Sequence, residues 1–122
     1  MEKLYEKNGF IGTYEEVSAL DEDDLEPREI FGTRMCLFAR HGLNFPSIFG
    51  SAIKDPMDFG VLEADAAKSI VSTDAKGSLI VYVTGLTPAL VAVINVCRLM
   101  HKDLILMHFD RDSGVYKAQF VY

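Results

Sequence analysis

Two long apolar runs near the carboxyl end of the chain give the clearest pattern in the sequence. Residues 79–84 and 104–109 are rich in branched apolar side chains, which is typical of strands buried on both faces of a parallel sheet. Between them, an apolar stretch follows Thr87-Pro88, and we expect a helix with Thr87 as its N-cap. This order predicts a parallel β-α-β unit over residues 79–109 with a right-handed crossover.

The rest of the pattern adds a hairpin after this unit and further elements before it. Residues 110–114 form a polar turn that ends in glycine, so residues 115–122 are expected to return as an antiparallel strand. Residues 34–40 have a continuous apolar centre that predicts another strand, and residues 62–72 have helical spacing. We therefore expect an α/β or α+β fold, with a central sheet that contains this parallel pair of strands, in a single small domain over residues 1–122.

The first quarter of the chain has a weaker pattern. We interpret residues 1–33 as an N-terminal arm followed by an acidic helical segment, and residues 34–122 as the core. Thr13 and Glu16 have the spacing of a capping box, which predicts the start of a short helix. Residues 15–29 carry eight carboxylates against a single base, a composition typical of a solvated loop.

Composition narrows the class of protein. The 122 residues are 49% hydrophobic and 25% charged, as expected for a packed globule. A net charge of −6 disfavours binding to duplex nucleic acid, although one arginine and one helix terminus still suffice for a small anion. Cys36 and Cys97 lie in apolar surroundings and are expected to be reduced core thiols. We expect a cytoplasmic protein with no membrane segment, since neither a signal peptide nor an apolar run of about 20 residues is evident.

The first candidate site is the turn that leads into the predicted helix. Its free backbone amides and the hydroxyls of Thr84 and Thr87 would face a bound anion, and Gly85 would let the ligand approach the backbone closely. The alternative is an ordinary connection between strand and helix, in which Gly, Thr and Pro serve only the turn.

The second candidate lies at the end of the next strand. Arg111 is suited to clamp a phosphate, while His108 or Asp110 would act as a base toward a ribose hydroxyl. Alternatively, Asp110 caps the turn and pairs locally with Arg111, and His108 is a core histidine with a satisfied hydrogen bond. His41 follows an earlier strand and reaches either the same edge of the sheet or the opposite one. Metal binding by Asp110 is a further alternative to its role as a base. The histidines and cysteines lack the spacing of a metal site, so no structural zinc site is predicted and no metal ligand is assigned.

These two stretches carry a resemblance to a known family. Residues 83–90 are similar to the Gly-x-x-Pro turn of the small CRISPR-associated ring-nuclease family called Csx-three, and residues 107–114 are similar to its Asp-Pro-Arg-type turn. This chain lacks the proline of the second turn, and it has no tryptophan, which is usual in the family after the first turn. The resemblance covers about residues 57–122. It implies a ferredoxin-like or related fold. It also implies a homodimer or larger homo-oligomer that binds and cleaves cyclic tetra-adenylate, with manganese assisting cleavage. It also places Gly85 and Thr87 in the ligand-binding loop, and Asp110 and Arg111 near the reacting phosphate.

Three functional hypotheses follow. The first is a binder, or slow nuclease, of a small oligonucleotide, in which the helix-leading turn and Arg111 hold phosphate and His108 or Asp110 orients a ribose 2′-hydroxyl. The second is a non-catalytic oligomeric interaction module that uses its acidic segment and its apolar helix. The third is a metal-dependent hydrolase of small phosphate esters. The residues themselves fix no cofactor, and manganese enters only through the resemblance.

Overall fold

The structure, a computed structural model, describes residues 3–19, 26–40, 42–50, 53–73 and 76–122. In chain order, the elements within these residues are β1 (Leu4–Lys7), β2 (Phe10–Gly12), α1 (Tyr14–Ala19), β3 (Arg28–Ile30), β4 (Gly32–Phe38), β5 (Ser47–Phe49), α2 (Phe59–Ser72), β6 (Ser78–Tyr82), α3 (Thr87–Leu99), β7 (Leu104–Asp110) and β8 (Val115–Phe120).

The main sheet has five strands in the order β5-β4-β6-β7-β8. Its first four strands are parallel neighbours, and β8 runs antiparallel to β7. The α/β class, the β-α-β unit built from β6, α3 and β7, and the final hairpin are therefore confirmed. The order is that of a doubly wound sheet, whereas a ferredoxin-like sheet would alternate antiparallel neighbours.

The direction of winding reverses at β4. The segment after β4 leads outward to β5, and its Leu43 and Phe45 pack on the face of the sheet that carries Cys36, Ile80 and Tyr82. The chain then returns through α2 to β6 and continues through α3 to β7, and both helices pack on the opposite face. The neighbouring carboxyl ends of β4 and β6 thus form the switch point at which sheets of this kind usually bind ligands.

The N-terminal segment supplies part of the core. β1, β2 and β3 form a small antiparallel sheet in the order β2-β1-β3. Leu4 and Ile11 from this sheet are 1% and 2% exposed, and they pack against the face of the main sheet that the helices leave uncovered. These strands have only three or four residues, which is too short for a clear alternating pattern in the sequence.

The N-cap predicted for α1 is confirmed, whereas the N-cap predicted for α3 lies one residue earlier. Thr13 and Glu16 form the predicted capping box, with each side-chain oxygen accepting the other residue's backbone N–H. Those hydrogen bonds, chiefly the one from the Thr13 amide, lower the pKa of Glu16. The expectation that Thr87 caps α3 is wrong by one position, because Leu86 is the N-cap and Thr87 is already helical. None of the helices within the described residues is both long and apolar enough to cross a membrane.

Candidate functional site at the carboxyl edge of the sheet

The parallel strands bring the predicted site residues to one edge of the sheet. Because β4, β6 and β7 are parallel neighbours, the segments after Phe38, Tyr82 and Asp110 all leave from their carboxyl ends. We call this side the carboxyl edge. The loop after β4 therefore reaches the same edge as the other two candidates, a choice that the sequence left open. His41, the candidate in that loop, lies outside the described residues.

Thr84 uses its hydroxyl to join β4 to the segment after β6. The Thr84 Oγ1 donates to the Phe38 carbonyl at 2.8 Å and accepts the Phe38 N–H at 2.9 Å. The side chain is 6% exposed, so both bonds are protected from water. The Val83 N–H extends the connection on the other side by donating to the Met107 carbonyl at 3.0 Å. The Thr84 hydroxyl is thereby engaged within the fold, and a ligand would have to displace these bonds to reach it.

Gly85 is required by the packing of Phe38. Its φ of +93° lies in the left-handed region that favours glycine. A Cβ atom built at this position would lie 2.6 Å from Cδ2 of the Phe38 ring. That ring also stacks on Phe49, with centroids 5.3 Å apart. The phenylalanine thus fills the space next to the switch point, and the missing side chain of Gly85 accommodates this ring.

The start of α3 presents backbone donors with no internal acceptor. Leu86 offers no side-chain cap, and Pro88 has no N–H to give. Within the described part of the chain, the amides of Thr87 and Ala89 donate to no acceptor. The first amides of a helix carry partial positive charge and bind anions when no side chain occupies them. Thr87 itself is exposed beside them.

Asp110 closes the turn between β7 and β8. Its Oδ2 accepts the Ser113 hydroxyl at 2.9 Å, and its Oδ1 accepts the Asp112 N–H at 3.1 Å. The Ser113 and Asp112 hydrogen bonds, in that order, lower the pKa of this carboxyl. Its Oδ2 lies 3.7 Å from Nζ of Lys117, which is its ion-pair partner in place of Arg111, the local partner expected in the alternative above. A carboxylate held in this way is a weaker proton acceptor than a free one.

Arg111 is left without a partner by this arrangement. It is exposed in the turn and makes no ion pair or ring contact to any described residue. Arg40, two residues after the end of β4, is likewise exposed and makes no ion pair or ring contact to any described residue. The carboxyl edge therefore combines the open start of α3 with two guanidinium groups that have no ion-pair partner among the described residues.

His108 is exposed, so the alternative of a core histidine is wrong. It shares a face of β7 with Leu104 and Leu106, as expected, but burial along the strand ends at Met107. Its Nε2 lies 2.7 Å from Oε1 of Gln119 on β8. Because an amide oxygen only accepts, this contact favours the tautomer protonated at Nε2.

Sequence reasoning missed a row of aromatic rings just behind the carboxyl edge. The Phe45 ring stacks on Tyr82 with centroids 4.8 Å apart, and Tyr82 meets Tyr116 edge to face at 5.0 Å. Tyr116 meets Phe109 edge to face at 5.3 Å, and Phe109 is 48% exposed at the open end of the row. These rings come from four segments, so the row depends on strand order and has no local signal in the sequence.

The residues present do not fit a manganese site. Across the described ranges, no group of three or more His, Cys, Asp or Glu residues is arranged to hold a metal ion. Asp110 is a single carboxylate already engaged with its own turn. Divalent cations of this class prefer several oxygen ligands, which this edge does not bring together.

One cavity lies away from the carboxyl edge. A groove of about 710 Å³ runs between β5 and α2, with Ile48 and Leu62 among its apolar lining and Lys54, Asp65 and Lys68 among its charged lining. None of the described site residues predicted from the sequence contributes to it. This groove is therefore separate from the carboxyl edge.

Comparison with protein-family models, with curated proteins and with solved structures finds no match for this chain. Any function proposed for this chain therefore depends on the geometry of the carboxyl edge and on the resemblance of short stretches described above.

The Thr84 hydroxyl should be needed for stability. Thr84→Val keeps the shape of the side chain but leaves the Phe38 N–H and C=O without their partner, so we expect a loss of about 1–3 kcal/mol in the free energy of unfolding. Thr84→Ser retains the hydroxyl and should lose less. Urea denaturation of both variants measures the difference, and equal stability of the two would show that the hydroxyl does not join the strands.

Proposed function

We propose that the carboxyl edge binds a small phosphate-bearing ligand. The observation that carries this proposal is the open start of α3, where the Thr87 and Ala89 amides have no acceptor in the described structure. Arg111, which has no ion-pair partner among the described residues, lies at the same edge of the sheet. Helix amides and a guanidinium group are complementary to phosphate oxygens, the former through the helix dipole and the latter through paired N–H donors.

Charge and shape favour a small ligand over a polymer. The chain has a net charge of −6, so a long nucleic acid would be repelled by most of the surface. A ligand that meets only the start of α3 and one or two arginines avoids that repulsion, because exposed charges beyond about 10 Å are largely screened by salt. The resemblance to ring nucleases makes a short cyclic or linear oligoadenylate the form of ligand we propose.

Binding has more support than cleavage. If the ligand is cleaved at its own 2′-hydroxyl, His108 is the better candidate for the base, since its side chain is exposed near the end of β7. Asp110 is better suited to holding the turn that carries Arg111, because its oxygens accept the Ser113 hydroxyl and the Asp112 amide. No metal is needed for this scheme, in which positioning and charge stabilisation supply the rate.

A second candidate function, an oligomeric interaction module, is favoured by the outer surface of α3. Val91 is 47% exposed and Leu99 is 70% exposed, although five other residues of this helix are buried. An apolar surface of this kind is a typical site of self-association. The carboxylates Asp21, Asp23 and Asp24, which the sequence offered as a second contact surface, lie outside the described residues.

Removal of Arg111 should weaken phosphate binding without destabilising the fold. For Arg111→Ala we expect about a tenfold or greater loss of affinity for pyrophosphate and for cyclic tetra-adenylate, because a charge-assisted contact is lost. The melting temperature should stay unchanged, since the Arg111 side chain makes no hydrogen bond, ion pair or ring contact to the described residues. Calorimetric titration measures the affinity, and chromatography of the same samples detects any cleavage.

Arg98 provides the matched control for that experiment. It is an exposed arginine in the last turn of α3, at the end of the helix that repels anions. Arg98→Ala should bind both probes as the unmodified protein does. If both variants lost the same affinity, the effect of Arg111→Ala would come from the change in overall charge, and Arg111 would have no specific role in binding phosphate.

An acceptor placed at the N-cap of α3 should compete with the ligand for the same amides. Leu86→Asp allows the new carboxylate to accept the Ala89 N–H, which should stabilise the protein by about 1 kcal/mol and raise its melting temperature by a few degrees. The same variant should bind pyrophosphate more weakly, whereas Leu86→Ala should bind it normally. If Leu86→Asp is more stable and still binds pyrophosphate with unchanged affinity, these amides do not contact the ligand.

The interaction module predicts self-association through α3. Leu99→Glu places a charge in the middle of an exposed apolar site, so it should shift an oligomer toward the monomer because charged groups resist burial. Sedimentation velocity over a wide range of protein concentration measures the shift. A protein that is monomeric throughout that range before any substitution would eliminate this function for α3.

A further inference from the structure

We propose that Phe109 is the stacking platform for a nucleobase of the ligand, so that one nucleotide contacts Phe109 with its base and Arg111 with its phosphate. This inference rests on the proposed phosphate binding and deepens it by assigning the residue that selects a nucleotide over a simple phosphate. The assignment of Phe109 comes from the row of aromatic rings, and none of these rings has a role in the proposed phosphate binding.

The exposure of Phe109 is unusual for its position. The residue lies in β7, and the preceding residue on the same face, Met107, is fully buried. Phe109 is nevertheless 48% exposed, because it lies outside the cluster that the small N-terminal sheet forms on this face. A large aromatic side chain left open at the edge that carries the unpaired arginines is suited to a planar ligand group.

The ring is also held in place before any ligand arrives. Tyr116 supports it edge to face at 5.3 Å, and Tyr116 is itself held by Tyr82, which is 5% exposed. Behind Tyr82, the row continues to Phe45, on whose ring the Arg34 guanidinium lies at 4.5 Å. A base that stacks on Phe109 would add one more member to this row, and little side-chain freedom remains to be lost on binding.

The spacing of Phe109 and Arg111 suits a single nucleotide. The two residues are separated by Asp110 alone, so their Cα atoms are at most about 7 Å apart. Asp110 fixes the turn through Ser113 and Lys117, which limits how far Arg111 can move away from the ring. A base and the phosphate attached to the same sugar span a comparable distance, whereas pyrophosphate alone would reach Arg111 without touching Phe109.

A comparison of ADP with pyrophosphate tests this assignment, because the two probes share a diphosphate and differ by the adenosine. We expect the unmodified protein to bind ADP more tightly than pyrophosphate. In Phe109→Ala the affinity for ADP should fall about tenfold, as is typical when a stacking aromatic is removed, while the affinity for pyrophosphate should not change. Phe109→Leu should lose ADP affinity as well, because it keeps apolar bulk but has no ring, and Phe109→Trp should retain it.

Phe120 is the matched control. It is 50% exposed and lies on the same face as Phe109, but it pairs with Ile105 near the other end of β7. Phe120→Ala should bind both probes normally. If Phe109→Ala binds ADP as the unmodified protein does, the stacking assignment is wrong, while phosphate binding that depends on Arg111 would stand. If the unmodified protein binds neither probe, the proposed function fails and the assignment of Phe109 fails with it.

Discussion

Burial of β6 on both faces is the constraint on which the rest of the structure depends. From Leu79 to Tyr82 its residues are at most 5% exposed, so each face of the sheet needs a covering layer. Helices α2 and α3 cover one face, and Leu4, Ile11 and Ile30 of the N-terminal sheet cover the other. The N-terminal segment is therefore needed to complete the core. With both faces covered, the carboxyl edge is where the loops between the layers meet solvent.

The carboxyl edge divides its polar groups between structure and ligand chemistry. Thr84 and Asp110 are both polar residues in candidate loops, but their side chains satisfy hydrogen bonds within the protein. The groups that remain without a partner among the described residues are backbone amides at the start of α3 and the guanidinium groups of Arg40 and Arg111. Internal hydrogen bonds fix the positions of the loops, so a ligand bound at this edge would meet donors that are already oriented.

The sequence was sufficient to predict elements whose residues are buried along their whole length. It was insufficient to predict contacts that depend on the register between strands. The unit over residues 79–109 was predictable because strands buried on both faces are apolar throughout, and parallel strands necessarily bring their following loops to one edge. The partners of single side chains were not predictable. Thr84 bonds Phe38, which is 46 positions away in the sequence, and Asp110 pairs with Lys117 only because of the hairpin register. The exposure of His108 likewise depends on where the covering layers end.

The two candidate functions use separate surfaces and are compatible with one another. The Gly9 carbonyl already accepts the Ala118 N–H on the outer edge of β8. It lies in a turn where Asn8 and Gly9 both have positive φ. This contact opposes association of two molecules through the edge of β8. Self-association would therefore use the outer face of α3 around Leu99, whereas the ligand would meet the start of the same helix. A helix of 13 residues separates these sites by about 20 Å. Substitutions this far apart with no shared partner act independently, so ligand affinity and oligomeric state should respond to separate residues.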